Sequence, residues 1–250
     1  MRVRNCGILL LCIAVLLGTA ACSGNKVAPN GMTGADILEM SQTASVNTYQ
    51  CDDITISNFM GEITTESTHA VVDVTNEELY MLFTSSDPEY GTFSMYIKGD
   101  WAYMETEGDW YKIYLTDEIW EQELNTITQW DLLQDFIEVK YVSNEIVNGV
   151  ECYKLEIQPD LQALFNAIMG EDTGFEIDFE EVIKDFSLFT WVSTDNFYQM
   201  KQTTYMTIDM DLSFMQMSGD INSTMDFTHY NEPVDIQLPA GAKNAEVVEY

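Results

Sequence analysis

The sequence predicts an α+β chain that is mainly β, with antiparallel strands and a few helices. Three observations predict it. First, apolar and polar residues alternate over short runs. Examples are Ile54 and Ile56, then Phe93, Met95 and Ile97, then Met206, Ile208, Met210, Leu212 and Phe214 without a miss. A period of two belongs to strands with one buried face. Second, tight turn signals separate these runs: Lys98-Gly99-Asp100, Glu107-Gly108-Asp109 and Asn148-Gly149. Asn-Gly between two such runs is a strong hairpin signal. Third, helical periodicity is confined to one early stretch and the middle of the chain.

The chain opens with Arg2 and Arg4, then an aliphatic run from Ile8 to Leu17. That run is well short of the ~20 residues needed to span a bilayer. A positive start, an apolar middle and small residues before a cut site make a secretory leader, expected to be removed. Thr19-Ala20-Ala21-Cys22 resembles a bacterial lipobox, although that pattern favours leucine where Thr19 stands. The resemblance implies a leader over residues 1–21 and a diacylglyceryl anchor on Cys22. It places the protein on the extracytoplasmic face of the bacterial cell membrane. Residues 22–32 are polar with Gly and Pro and read as a flexible tether. Residues 33–250 follow as a single domain.

A first helix is expected from about Thr33 to Val46. Thr33 caps it, Asp36 lies in its first turn, and Ile37, Leu38 and Met40 give it an apolar side. Strands follow through Leu115. Thr116 to Thr128 reads as a helix with Trp120, Leu124 and Ile127 on one face. Val139–Val147 and Glu151–Gln158 form the Asn148-Gly149 hairpin. Asp160 caps a helix closed by Gly170, and Glu171–Glu181 is an acidic loop or short helix. The last third is strand again. No tandem repeat has a fixed period.

The net charge of −32 is extreme, and Arg2 and Arg4 are the only arginines. Without a basic footprint, nucleic-acid binding is excluded. Bidentate arginine clamps on phosphate are impossible beyond the leader. No zinc spacing, nucleophile elbow or phosphate-binding glycine loop is present. The expectation is a non-enzyme with no catalytic residue, no metal and no cofactor. His69 and His229 read as surface or packed residues. The acids Glu176, Asp178, Glu180 and Glu181 lack the ordered spacing of a calcium loop. Cys6 and Cys12 leave with the leader and Cys22 is acylated. Cys51 and Cys152 remain, and a disulfide between them is permitted outside the cell.

The segments Met95–Tyr103, Asn148–Leu155 and Asn231–Pro239 carry a diffuse resemblance over nearly all of the exported chain. They resemble the Gram-positive surface lipoproteins of the lipoprotein-localisation-factor superfamily, with LolA, LolB and the LppX-like proteins. The resemblance implies a half-open antiparallel β-barrel with helices packed in and over its open side. It also implies an apolar hollow that holds acyl chains. The arginine that latches the lid of LolA has no counterpart here, so only fold and hollow carry over.

The chain holds 14 Met, 12 Phe, 13 Tyr and 5 Trp. Methionine adapts to irregular apolar ligands, and Trp and Tyr suit a hollow with one wet end. On that fold the candidate cavity residues are Trp101, Tyr103, Met206, Met210 and Phe214 from strands, with Trp120, Leu124 and Ile127 from the helix. Two readings stand. One is an anchored binder or carrier of a lipid or glycolipid. The other is a structural or interaction lipoprotein whose barrel is filled by its own side chains. No partner protein is named by the sequence.

Overall fold

The computed structural model describes residues 26–106, 108–115, 137–160, 179–212 and 215–248. The helices expected over 116–128 and 160–170 lie outside these residues, as do the anchor Cys22 and the candidates Trp120, Leu124, Ile127 and Phe214. In chain order the elements are α1 (Gly34–Gln42), β1 (Thr48–Phe59), β2 (Glu62–Asp73), β3 (Glu78–Ser85), β4 (Thr92–Lys98), β5 (Trp101–Thr106) and β6 (Asp109–Tyr114). There follow β7 (Ile137–Val147), β8 (Val150–Pro159), α2 (Phe179–Val182), β9 (Ile183–Ser193), β10 (Gln199–Leu212) and β11 (Met215–Thr228). A 3-10 turn over Gly241–Asn244 and the short β12 (Glu246–Val247) end the chain.

The hydrogen-bonded strand order is β12-β6-β5-β4-β3-β2-β1-β11-β10-β9-β8-β7. It has two ends and is therefore an open sheet. The β2-to-β6 and β7-to-β10 pairings are antiparallel, and β12 joins β6 in parallel. The mainly β, antiparallel expectation is met. Contacts group the chain into two compact units. Unit 1 holds the N-terminal part to Ala44, Ser57–Glu62 and Glu123–Ser223. Unit 2 holds Ser45–Ile56, Ile63–Gln122 and Thr224–Tyr250.

Unit 1 is organised by α1 lying on β7, β8 and β9. Thr33 and Asp36 form a capping box: the Asp36 N–H donates to Thr33 Oγ1 at 3.2 Å and the Thr33 N–H donates to Asp36 Oδ2 at 2.7 Å. These bonds satisfy end groups that a helix leaves unpaired. They also hold the Asp36 carboxyl below its usual range. The helix stops at Thr43, shorter than expected. A nine-residue helix has little stability of its own, so its buried side chains, Ile37 and Leu38, hold it down. Beneath them lie Val139, Tyr141, Tyr153, Leu155, Ile157, Leu188 and Val192. Gly34 makes the close approach possible: a Cβ there would lie 2.8 Å from Tyr141 N and from Val139 O. The Asn148-Gly149 turn joins β7 and β8 with φ of 51° and 83°, the left-handed pair that hairpin turns of this kind require.

The tether expectation needs correction. Ala28 is 2% exposed and belongs to this same core, with Met32 packed against it. The Lys26 ammonium donates to the Val142 carbonyl, and Asn30 Nδ2 donates to the Tyr153 hydroxyl at 2.9 Å. Residues 26–32 are thus docked on β7 and β8. Their polar composition hid one small apolar residue and two side chains that find partners far along the chain.

Candidate functional site

Register resolves which residues of unit 2 share a face. Residues opposite one another in an antiparallel pair point the same way. On one face three rows run across the strands. The first is Val72, Leu79, Ile97, Ala102 and Ile113. The second is Ala70, Met81, Met95, Met104 and Tyr111. The third holds Thr68, Phe83 and Phe93, with the two rings 4.9 Å apart. No charged residue interrupts these rows. Phe83 is 8% exposed, and the other residues are only half-buried. Among the described residues, Thr68 Oγ1 is enclosed there with no hydrogen-bond partner.

The opposite face is different. Its rows are Glu78, Lys98, Trp101 and Tyr114, then Tyr80, Tyr96, Tyr103 and Lys112. Lys98 pairs with Glu78 at 3.0 Å, and Lys112 lies 4.8 Å from the Trp101 ring. The Tyr80 and Tyr96 rings lie tilted with centroids 4.8 Å apart, and Tyr96 meets Trp110 at 5.8 Å. The C-terminal segment lies against this polar, aromatic side. Lys98 donates to the Ile236 carbonyl at 2.6 Å, and a Cβ on Gly241 would lie 2.7 Å from Trp110. A hollow of about 410 Å³ beside Trp110 is lined by polar residues such as Asp109, Asn244 and Glu246.

The sequence candidates therefore divide. Trp101 and Tyr103 lie on the polar, aromatic face, away from the apolar rows. Met206 and Met210 belong to unit 1. There they are 9% and 8% exposed and pack with Ile208 and Ile221 against Phe59, Val182, Ile183 and Phe186. The apolar rows of unit 2 were absent from the candidate list. The available signal was the alternation of Leu79, Met81 and Phe83 with that of Phe93, Met95 and Ile97. Register is what joins these runs into one surface.

Cys51 and Cys152 do not pair; both thiols are free. Cys152 is 0% exposed within unit 1. Burial pushes its thiol up to about 11, helped by Glu151. Burial likewise pushes Cys51 up to about 12, with Asp53, Asp52 and Asp226 adding to it. Since the thiolate is the reactive form, both should resist iodoacetamide at pH 8 in the folded 23–250 chain. Both should alkylate on unfolding. Rapid alkylation of Cys152 under native conditions would show that the β8 region opens.

On the face of unit 1 away from α1, the buried Trp191 is flanked by lysines. Lys154 lies 4.9 Å and Lys201 5.8 Å from its ring. The indole N–H donates to Glu145 at 2.8 Å, and with Lys154 it holds that carboxyl below its usual range. His69 meets Asp52 at 2.7 Å on the surface. Among the described residues no three potential ligands gather for a metal, and no helix is long and apolar enough to cross a membrane.

Comparison with solved structures finds two mycobacterial proteins, the first of them a lipoprotein. LppX of Mycobacterium tuberculosis is 16% identical, with 80% of this chain and 96% of that one covered and a TM-score of 0.47. LprF of Mycobacterium bovis is 14% identical, with 87% and 100% covered and a TM-score of 0.49. A LolA-superfamily protein of Nitrosomonas europaea is 12% identical, with 83% and 96% covered and a TM-score of 0.29. No family model matches the chain, and no curated protein matches it.

Proposed function

We propose that the chain is an acylated lipoprotein of the outer surface of the cell membrane, and that it holds a lipid-like apolar ligand on the apolar face of unit 2. The observation that carries this reading is the three-row face centred on Met81, Met95 and Met104. Contiguous apolar surface that is not buried marks a binding surface. Unbranched methionine side chains let such a surface fit chains of varied shape. Each methylene removed from water contributes about 0.8 kcal/mol. Ten of them supply roughly 8 kcal/mol, and ordering costs reduce this to micromolar affinity or weaker. The exported chain has no arginine to grip a phosphate, so a neutral or glycosylated lipid is the better ligand.

The second reading, an interaction lipoprotein filled by its own side chains, is favoured for unit 1. There Met206 and Met210 are already packed as core. Titrating the 23–250 chain with fluorescent monoacylglycerol and glycolipid probes separates the two. Failure of every probe to bind below about 100 μM, some 5.5 kcal/mol, sends the whole chain to the second reading.

The anchor is tested independently. Cys22→Ala removes the acylated thiol. It should release the protein to the medium or leave the leader uncut, because the acyl chains that hold it on the membrane are lost. Unchanged retention with normal cleavage would mean that something other than Cys22 holds the protein.

A further inference from the structure

We infer that residues 26–33 form a rigid foot that sets the β7 edge of unit 1 against the headgroup layer of the bilayer. This rests on acylation of Cys22, proposed above. The foot is held at several points. The Ala28 N–H donates to the Met32 carbonyl and the Gly31 N–H to the Ala28 carbonyl, both at 2.8 Å, closing a tight turn. Ala28 is sealed into the core of unit 1 and Asn30 is tied to Tyr153. Lys26 is tied to Val142 on β7 and lies 5.5 Å from the Tyr141 ring. Thr33 then caps α1, whose first residue, Gly34, rests on the β7 backbone.

Only Ser23, Gly24 and Asn25 separate Cys22 from this foot. Four residue steps reach at most roughly 14 Å when fully extended. A glycerol-linked cysteine sits at the bilayer surface, so the backbone of Lys26, whose ammonium bonds the middle of β7, is held within that distance of it. The sheet order places β7 at one end, so the strand nearest the anchor has no neighbour on its outer side in that order. Its surroundings suit the headgroup layer. Val27 is 50% and Ile146 69% exposed, with Lys26 between the anchor and the strand. Isolated exposed apolar residues alone decide nothing. The short reach from the acyl chains decides which surface meets the bilayer. A flexible tether would leave all sides of the protein equally near the membrane. The foot removes that freedom.

The test uses full-length protein purified from membranes and placed in phosphatidylcholine vesicles carrying a headgroup nitroxide lipid. A fluorophore is attached at I146C, on β7, or at D209C, an exposed site on β10 three strands away in the sheet order. Both are made in a Cys51→Ala background, in which the enclosed Cys152 stays unlabelled. The nitroxide should quench the Ile146 position several-fold more than the Asp209 position. A Gly-Ser insertion after Asn25 with an r.m.s. span of roughly 20 Å should make the two nearly equal. Equal quenching with the native spacing overturns the foot. So does unequal quenching that survives the insertion, since the bias would then come from the surface alone. The mass of the N-terminal peptide reports acylation separately. An unmodified Cys22 overturns the anchor and the foot together, whereas acylated protein with equal quenching overturns the foot only.

Discussion

Leu155→Ala is expected to lower the stability of unit 1 by about 3–4 kcal/mol, within the range for emptying a fully buried leucine site. Leu155 is 0% exposed and sits on β8, opposite Tyr141 of β7 and Thr190 of β9. It belongs to the cluster that also contains Ile37, Leu38 and Ala28. The loss has two parts. The transfer energy of the missing side-chain carbons goes first. The void left behind adds to it, because the β8 and β9 backbones are fixed by their ladders and cannot close on it. α1 is the element most exposed to the consequence. It is nine residues long and held by side chains in contact with this cluster. Amide exchange of residues 28–42 should therefore accelerate more than that of β8 itself. The urea midpoint should fall by about 1–2 M. Ile146→Ala, at an exposed position of the same hairpin, should change stability by less than about 0.5 kcal/mol. A Leu155→Ala loss below about 1 kcal/mol would show that α1 and the docked N-terminal segment are not packed as described.

Most of this fold can be read from residues that act locally. Asn148-Gly149 sets its own turn because both residues tolerate positive φ, and the strands on either side then fall into register. Thr33 and Asp36 mark the start of α1 because each satisfies the other's backbone N–H. The alternation of Phe93, Met95 and Ile97 marks a strand with one apolar side. The site was less legible. On β5, Trp101, Tyr103 and Glu105 alternate with Ala102 and Met104, so both sides carry apolar or aromatic groups. Periodicity separates the two sides but does not say which joins the neighbouring apolar rows. Only the pairings of Met95 with Met104 and of Ile97 with Ala102 do so. The docking of residues 26–32 was hidden for a similar reason. Ala28 and Asn30 make contacts over more than 100 residues of sequence, and no local pattern encodes them.

Met95→Lys is expected to weaken binding of a neutral monoacylglycerol probe by at least about 100-fold, or some 2.8 kcal/mol. Met95 is directly opposite Met81 on one side and Met104 on the other, at the centre of the apolar rows. An apolar chain laid across that centre must cover position 95. A lysine there either keeps its ammonium in water, holding the chain off the surface, or loses hydration beneath it. Both oppose binding, and an isolated buried charge is among the costliest groups to cover. The fold should tolerate the change because the site is only half-buried. The same substitution at Met210 is uninformative, since that side chain is already core in unit 1. A neutral probe is essential, because a fatty-acid carboxylate could pair with the new ammonium and offset the loss. Tyr103→Gln supplies the contrast. It lies on the opposite face, between Tyr96 and Lys112, and should leave probe affinity within about threefold, or roughly 0.7 kcal/mol. If Tyr103→Gln abolishes binding and Met95→Lys spares it, the ligand lies on the polar, aromatic face and the apolar rows serve only to pack the protein.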